Sequence, residues 1–285
     1  MKTIANRKNK ASLNTKIQIE HFKDPIFLQE LKEAYYFIIL FDGDFSFSVD
    51  FNEYRCSGKN LLFMSPHQLL KWNSGGKPIT GALKFHGDFY CIEYHKKEVA
   101  CNGILFNNIY ESPFVLVPDT IFEEIKGIFK KLAEFNISDE SYDLSIAKSY
   151  LQLILALSSR EKQMQISKSV ISLQKEQVSD FQTVLDANFI HSRSVSFYAA
   201  HYGLSVDAFS KKIKNYYNKS PSGLIQERLI LEAKKQLHLT PKSVKEIAAD
   251  LRFEDQFYFS RYFKKQVGVS PKVFREQVGI SIVAK

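Results

Sequence analysis

Hydrophobic positions change their period along this chain. Phe45, Phe47, Val49 and Phe51 alternate with Ser46, Ser48, Asp50 and Asn52, the two-residue period of a half-buried strand. Short apolar runs follow at Leu61–Met64, Leu69–Trp72 and Phe89–Ile92, separated by turn residues such as Asp42-Gly43-Asp44 and Ser57-Gly58-Lys59. Many short strands at close spacing predict a β sandwich or small barrel between Ala34 and about Tyr110. From Pro118 the spacing becomes helical. Ile121, Ile125, Ile128, Phe129 and Leu132 mark one helix face, and Leu144, Ala147, Tyr150, Leu151, Ile154 and Leu157 mark a second. The second stripe is wide. It fits packing on the β region or a seam between two subunits. Residues 159–178 are polar and mixed in charge, with Arg160-Glu161-Lys162-Gln163 in a row, and predict an inter-domain linker with some helix.

Beyond residue 179 the pattern repeats. Phe209-Ser210-Lys211-Lys212-Ile213-Lys214 leads to Ser220-Pro221; fifty residues on, Phe259-Ser260-Arg261-Tyr262-Phe263-Lys264 leads to Ser270-Pro271. An Ala-Ala pair precedes each, at Ala199-Ala200 and Ala248-Ala249. Ser194 is placed to cap a first helix that Gly203 ends, and Ser205 caps a second that Asn218 ends. Ser243 and Glu246 form a capping box, Asp255 caps the next helix, and Gly268 ends it. Two short helices joined by a tight turn are a helix-turn-helix, here present twice. The Ala pairs are offset by 49 residues, so the second turn carries one extra residue. Pro221 opens a connecting helix of about 19 residues, with Ile225, Leu229, Ala233 and Leu237 as its packing stripe. Its length of roughly 28 Å suits two recognition helices in major grooves ~34 Å apart.

Charge follows the same division. The net charge of +8 sits almost wholly in residues 175–285, which hold 18 Lys and Arg against 11 Asp and Glu. A basic helix-turn-helix domain points to nucleic acid. The three cysteines, Cys56, Cys91 and Cys101, form no CxxC pair and fit free thiols in a reducing cytosol. The basic arm at residues 1–16 lacks the apolar stretch of a signal peptide, and no segment has the apolar length of a membrane span. His86 and His95 stand nine apart with no His-x-His pair, and there is no phosphate-binding Gly loop or G-x-S-x-G elbow. Neither a cofactor nor an enzymatic reaction is therefore expected.

Residues from about 175 to 278 resemble the DNA-binding domain of AraC/XylS-type transcription regulators. The second unit carries the more specific match: Ile247-Ala248-Ala249-Asp250-Leu251-Arg252-Phe253, then Tyr258 to Lys265, Gly268-Val269-Ser270-Pro271 and Phe274-Arg275. Arg252 departs from it, standing where the family usually has Gly; an exposed side chain on a tolerated turn is expected. The resemblance implies that Asp207, Ala208, Ser210, Lys211 and Lys214 of the first unit face DNA, with Gln256, Phe257, Tyr258, Ser260, Arg261 and Lys264 of the second. Arg261 suits guanine and Gln256 adenine. Lys211, Lys214, Lys264 and Lys265 suit phosphates. Phe209, Ile213, Phe259 and Phe263 belong to the core. Phe257 either packs or touches a thymine methyl, with packing favoured. Asp207 either accepts from cytosine or caps its helix.

The β region resembles, more weakly, the cupin-like sensing domain of that family. The expected fold is therefore α+β and multidomain: a flexible arm (1–16), a cupin-like β-barrel (17–117), a helical pair that is a candidate dimer seam (118–158), a linker (159–178) and an all-α double helix-turn-helix domain (179–285). The implied function is a cytoplasmic regulator of promoter DNA, bound across two adjacent major grooves. It would more usually be an activator contacting RNA polymerase, controlled by a small-molecule effector. Trp72, His86, Tyr90, Tyr94 and His95 are candidate effector-lining residues, though core packing is the commoner role for such aromatics. The competing reading is a ligand-binding cupin whose helical domain mediates protein contacts.

Overall fold

The computed structural model describes residues 17–20, 30–75, 81–90, 104–106, 108–134, 141–173 and 177–279. The basic arm, Cys91, Tyr94, His95 and Cys101 lie outside them.

Among the described residues, nine strands form two antiparallel sheets. They are β1 (Ile17–Glu20), β2 (Glu30–Leu31), β3 (Tyr36–Asp42), β4 (Phe45–Val49), β5 (Asn52–Cys56), β6 (Lys59–Met64), β7 (Leu70–Gly75), β8 (Gly81–Phe85) and β9 (Phe114–Leu116). One sheet runs β1-β8-β3-β6-β9 and the other β2-β7-β4-β5. Among the described residues neither sheet closes on itself, so two open sheets stand where a barrel was expected. Strand β3 reads Tyr-Phe-Ile-Ile-Leu-Phe because both its faces are covered. Phe37, Ile39 and Phe41 meet Phe45, Phe47 and Val49 of the second sheet. Ile38 and Leu40 face the other way, toward helix α1 (Asp119–Glu134) and helix α2 (Ser141–Leu173). The N-terminal region is thus layered as sheet, sheet, helices.

The alternation in β4 holds as far as Val49. There Asp50 takes a left-handed conformation (φ 54°), and the turn carries Phe51 out to 74% exposure instead of into the core. The run Phe89-Tyr90 is no strand; it is the turn after β8, with both rings buried on the helical side. Five residues of the α1 stripe are buried as expected. In α2, Ala147, Leu151 and Ile154 are buried against the same core, with Leu144, Tyr150 and Leu157 half-buried beside them. The helix does not end near 158. It continues to Leu173, through most of the segment read as a linker, because Lys162 and Gln165 pin it to β9. Lys162 is 2% exposed and its Nζ donates to Ser112 O at 2.9 Å and Phe114 O at 3.2 Å; Gln165 donates to Leu116 O at 2.5 Å. Burial pushes the Lys162 ammonium down to about 8, against the opposing pull of Glu111. A polar sequence here reflects hydrogen bonding to an edge strand, not solvation.

The C-terminal region is all helical: α3 (Phe181–Asn188), α4 (Val195–His201), α5 (Val206–Tyr217), α6 (Pro221–Leu239), α7 (Val244–Asp250), α8 (Gln256–Val267) and α9 (Pro271–Val278). Its core gathers Phe181, Phe209, Ile213, Leu229, Ala233, Leu237, Phe259, Phe263 and Phe274. The two regions touch through α6, α9 and their flanks. Lys219 Nζ donates to Ile109 O at 2.8 Å, Asn52 Nδ2 to Glu227 Oε1 at 2.7 Å, and the His67 ring lies 5.2 Å from that of Phe274.

Candidate nucleic-acid interface

Local chemistry sets each recognition helix. Ser194 Oγ accepts from Phe197 N at the start of α4, and Ser205 Oγ accepts from Ala208 N at 3.2 Å at the start of α5. Ser243 and Glu246 close the capping box on α7 from both sides. Asp255 Oδ1 accepts from Phe257 N at 2.6 Å and Tyr258 N at 2.7 Å, so one carboxylate satisfies two orphan donors where the helix dipole favours a negative charge. Asn218 (φ 54°) and Gly268 (φ 87°) end α5 and α8 in the left-handed conformation.

The two turns share one hydrogen-bond plan. Gly203 N donates to Ala200 O and Leu204 N to Ala199 O; Arg252 N donates to Ala249 O and Phe253 N to Ala248 O. Both are helix ends of Schellman type, with Gly203 at φ 64° and Arg252 at φ 54°. Arg252 does occupy a left-handed turn, with its side chain exposed. The extra residue lies after it: Ser205 follows Gly203 by two residues, whereas Asp255 follows Arg252 by three.

With Phe209, Ile213, Phe259 and Phe263 fully buried, the opposite helix faces are presented outward. Asp207, Lys211 and Lys214 are exposed on α5, with Ala208 and Ser210 half-exposed. On α8, Phe257, Tyr258, Arg261, Lys264 and Lys265 are exposed, with Gln256 and Ser260 half-exposed. Phe257 is 66% exposed, so it does not pack as was favoured. Ser205 is the cap of α5, which leaves Asp207 free of that role. Ser260 Oγ donates to Gln256 O at 2.7 Å, so its hydroxyl is occupied within the helix. Among the described residues, Lys211, Lys214, Arg261, Lys264 and Lys265 form no ion pair.

Three arginines hold the frame beneath these faces, and periodicity did not single them out as structural. Arg228 of α6 stacks on Phe189 at 4.0 Å and donates to Asp186 Oδ1 at 2.5 Å. Arg275 of α9 donates to Leu237 O at 3.0 Å and Lys242 O at 2.6 Å. Arg193, between α3 and α4, reaches the turn of the second unit. The one sequence clue to it was indirect: an Arg in the Gly position of that turn needs support.

Of the candidate effector residues, the three described ones, Trp72, His86 and Tyr90, do not converge. Trp72 sits between the two sheets, and Tyr90 lies on the far side of the first sheet, in the core shared with α1 and α2. His86 points at the helical C-terminal region, its Nε2 2.8 Å from Gln277 O. Among the described residues no group of three or more His, Cys, Asp or Glu could hold a metal ion, and no helix is long and apolar enough to cross a membrane.

This geometry defines a double helix-turn-helix domain. Residues 198–277 match the family described as "Helix-turn-helix domain", and the curated relatives are AraC-family regulators. The chain is 24% identical over 178 residues to the HTH-type transcriptional activator RhaS of Mannheimia succiniciproducens, covering 62% of this chain and 63% of the relative. It is 24% identical over 153 residues to the HTH-type transcriptional regulator ExsA of Pseudomonas aeruginosa, covering 53% and 54%. It is 20% identical over 262 residues to the HTH-type transcriptional activator RhaR of Cronobacter sakazakii, covering 91% and 90%. The matches to RhaS and ExsA thus span less than two thirds of those proteins' lengths.

Proposed function

We propose that this chain is a sequence-specific DNA-binding transcription regulator of the AraC type, reading two adjacent major grooves through α5 and α8. The observation that carries this is the pair of capped recognition helices. Each buries its Phe/Ile face completely and turns Lys, Arg and amide side chains to solvent. In this reading Arg261 and Gln256 choose bases, while Lys211, Lys214, Lys264 and Lys265 neutralise phosphates. In the same reading Phe257, exposed beside Gln256, would touch a thymine methyl. Activation is the mode carried by the names of RhaS and RhaR, and in this reading RNA polymerase would be the partner.

The N-terminal region would supply dimerisation and regulation from a cupin-like frame. Tyr142, Ile146 and Leu153 are exposed on α2 at helical spacing, which supports a second copy docking along that helix. A small-molecule effector remains part of the reading, but Trp72, His86 and Tyr90 do not make one pocket for it.

The test is selection of duplexes from a random-sequence pool by the full chain, followed by mobility shifts. Wild type is expected to enrich one asymmetric site. Arg261→Ala with Lys211→Ala is expected to lose specific binding; a double variant that binds the selected site as tightly as wild type would overturn the assignment of reading helices.

A further inference from the structure

The two helix-turn-helix units are joined by α6, but a rod held at its ends through short loops sets separation better than rotation. A second tie exists. Arg193 stands one residue before the cap of α4, in the first unit. Its Nη2 donates to Leu251 O, and to Arg252 O at 3.3 Å. Its guanidinium lies over the Phe253 ring, 4.2 Å from the centroid. Leu251, Arg252 and Phe253 all belong to the turn between α7 and α8, in the second unit. The two carbonyls lie at the C-terminal end of α7, where the helix dipole is negative and a cation is favoured. A planar guanidinium can donate in its plane and stack with its face; an ammonium cannot do both.

The location gives this contact a functional reach. Asp255, which caps α8, is three residues past Arg252, and Gln256 follows it. The clasp therefore sits within one helical turn of the first base-reading side chain of the second unit. The left-handed conformation of Arg252 also orients the carbonyl that Arg193 grips, so the turn and the clasp are set together.

We propose that Arg193 is a positioning residue that gauges the two reading units, clasping the second unit's turn from the first unit's entry and so fixing the spacing at which α5 and α8 meet DNA. This deepens the DNA-binding reading and rests on it.

The experiment uses the duplex selected by the wild-type full chain, remade with one base pair inserted or removed between its halves. Wild type should bind the altered spacings about tenfold or more weakly, the scale of one charge-assisted hydrogen-bonded contact. Arg193→Ala and Arg193→Lys should flatten that discrimination to within about threefold, while binding to duplexes carrying one half alone stays at the wild-type level. Undiminished spacing discrimination in both variants would overturn the proposal. Adding Arg252→Gly to Arg193→Ala relaxes the turn without restoring the clasp; recovery of discrimination in that double variant would show that Arg193 acts only by supporting its turn, and would equally overturn it. A DNA-free arm keeps the question separate from the DNA-binding reading. Spin labels at Asn215→Cys and Lys265→Cys, with the three native cysteines replaced by Ser, should show a distance distribution that broadens on Arg193→Ala. An unchanged distribution sinks the gauge, whereas failure of wild type to select any duplex sinks the DNA-binding reading and leaves the label distances to decide the gauge.

Discussion

The two helix-turn-helix units solve one turn in two ways. The first places Gly203 at φ 64°, where glycine has no Cβ to clash and the space around it is open. The second places Arg252 at φ 54°, a conformation that costs a residue with a Cβ about 1–2 kcal/mol. That unit also has the stronger local supports: a capping box on α7, a carboxylate cap on α8 and the Arg193 clasp on the turn itself. The first unit has serine caps and a turn tied by a single neutral hydrogen bond, Gln177 Nε2 donating to Tyr202 O at 2.9 Å. The difference teaches that a strained backbone is tolerated where neighbouring groups hold it, and that the second unit is the more tightly built of the two.

The largest perturbation to that contrast comes from the cores. Phe209→Ala and Phe259→Ala each empty a fully buried site and should cost about 3–5 kcal/mol in chemical denaturation. The comparison sharpens if the Phe259 variant loses DNA binding first, since in the proposed reading its unit carries the better base readers.

Next in size is the reading face. Arg261→Ala should cost about 1–3 kcal/mol and relax specificity at one base pair. Lys211→Ala should weaken binding evenly across sequences and reduce its salt dependence by about one ion. Equal loss of specificity from both would break the asymmetry between the units.

The turns themselves give a smaller, opposite pair of effects. Gly203→Ala should destabilise by about 1 kcal/mol, and Arg252→Gly should stabilise by a similar amount in thermal melts. Melting shifts of the same sign would show that the turns are not equivalent.

A pH dependence acts at the contact between regions. Burial, with help from Lys234 and Lys32, pushes His67 down to about 4 from its ordinary 6.5. The unfolded or undocked His67 binds a proton more readily than the docked one, so docking is fully favoured above pH 6.5 and weakens as pH falls toward 4. His67→Phe should remove that slope from a pH series of limited proteolysis; an unchanged slope would place its origin elsewhere.

The C-terminal half was legible because its signals are local. Ser194, Ser205, Ser243, Asp255 and Gly268 each act within a few residues of themselves, and all five stand where their residue types predict. The N-terminal half was less so, because its decisive contacts join distant residues. Alternation marked Phe45 to Val49 correctly, but the reversal at Asp50 that ejects Phe51 leaves no periodic trace. Aromatic density near Tyr90 indicated burial without saying on which face of a sheet. That is why Trp72 and Tyr90 were grouped and prove to occupy separate cores. Arg160 to Gln163 has the composition of a solvated joint, yet Lys162 donates to the carbonyls of Ser112 and Phe114, at the start of an edge strand about fifty residues earlier.

That lysine has a mechanical consequence. A flexible joint would let the helical C-terminal region wander independently of the sheets. A helix bolted to β9 at Lys162 and running on to Leu173 is a lever with an arm of about 16 Å. Any tilt of its anchoring strand is magnified at the far tip, so the edge of a small sheet can steer the direction in which the chain sets out toward its helical half.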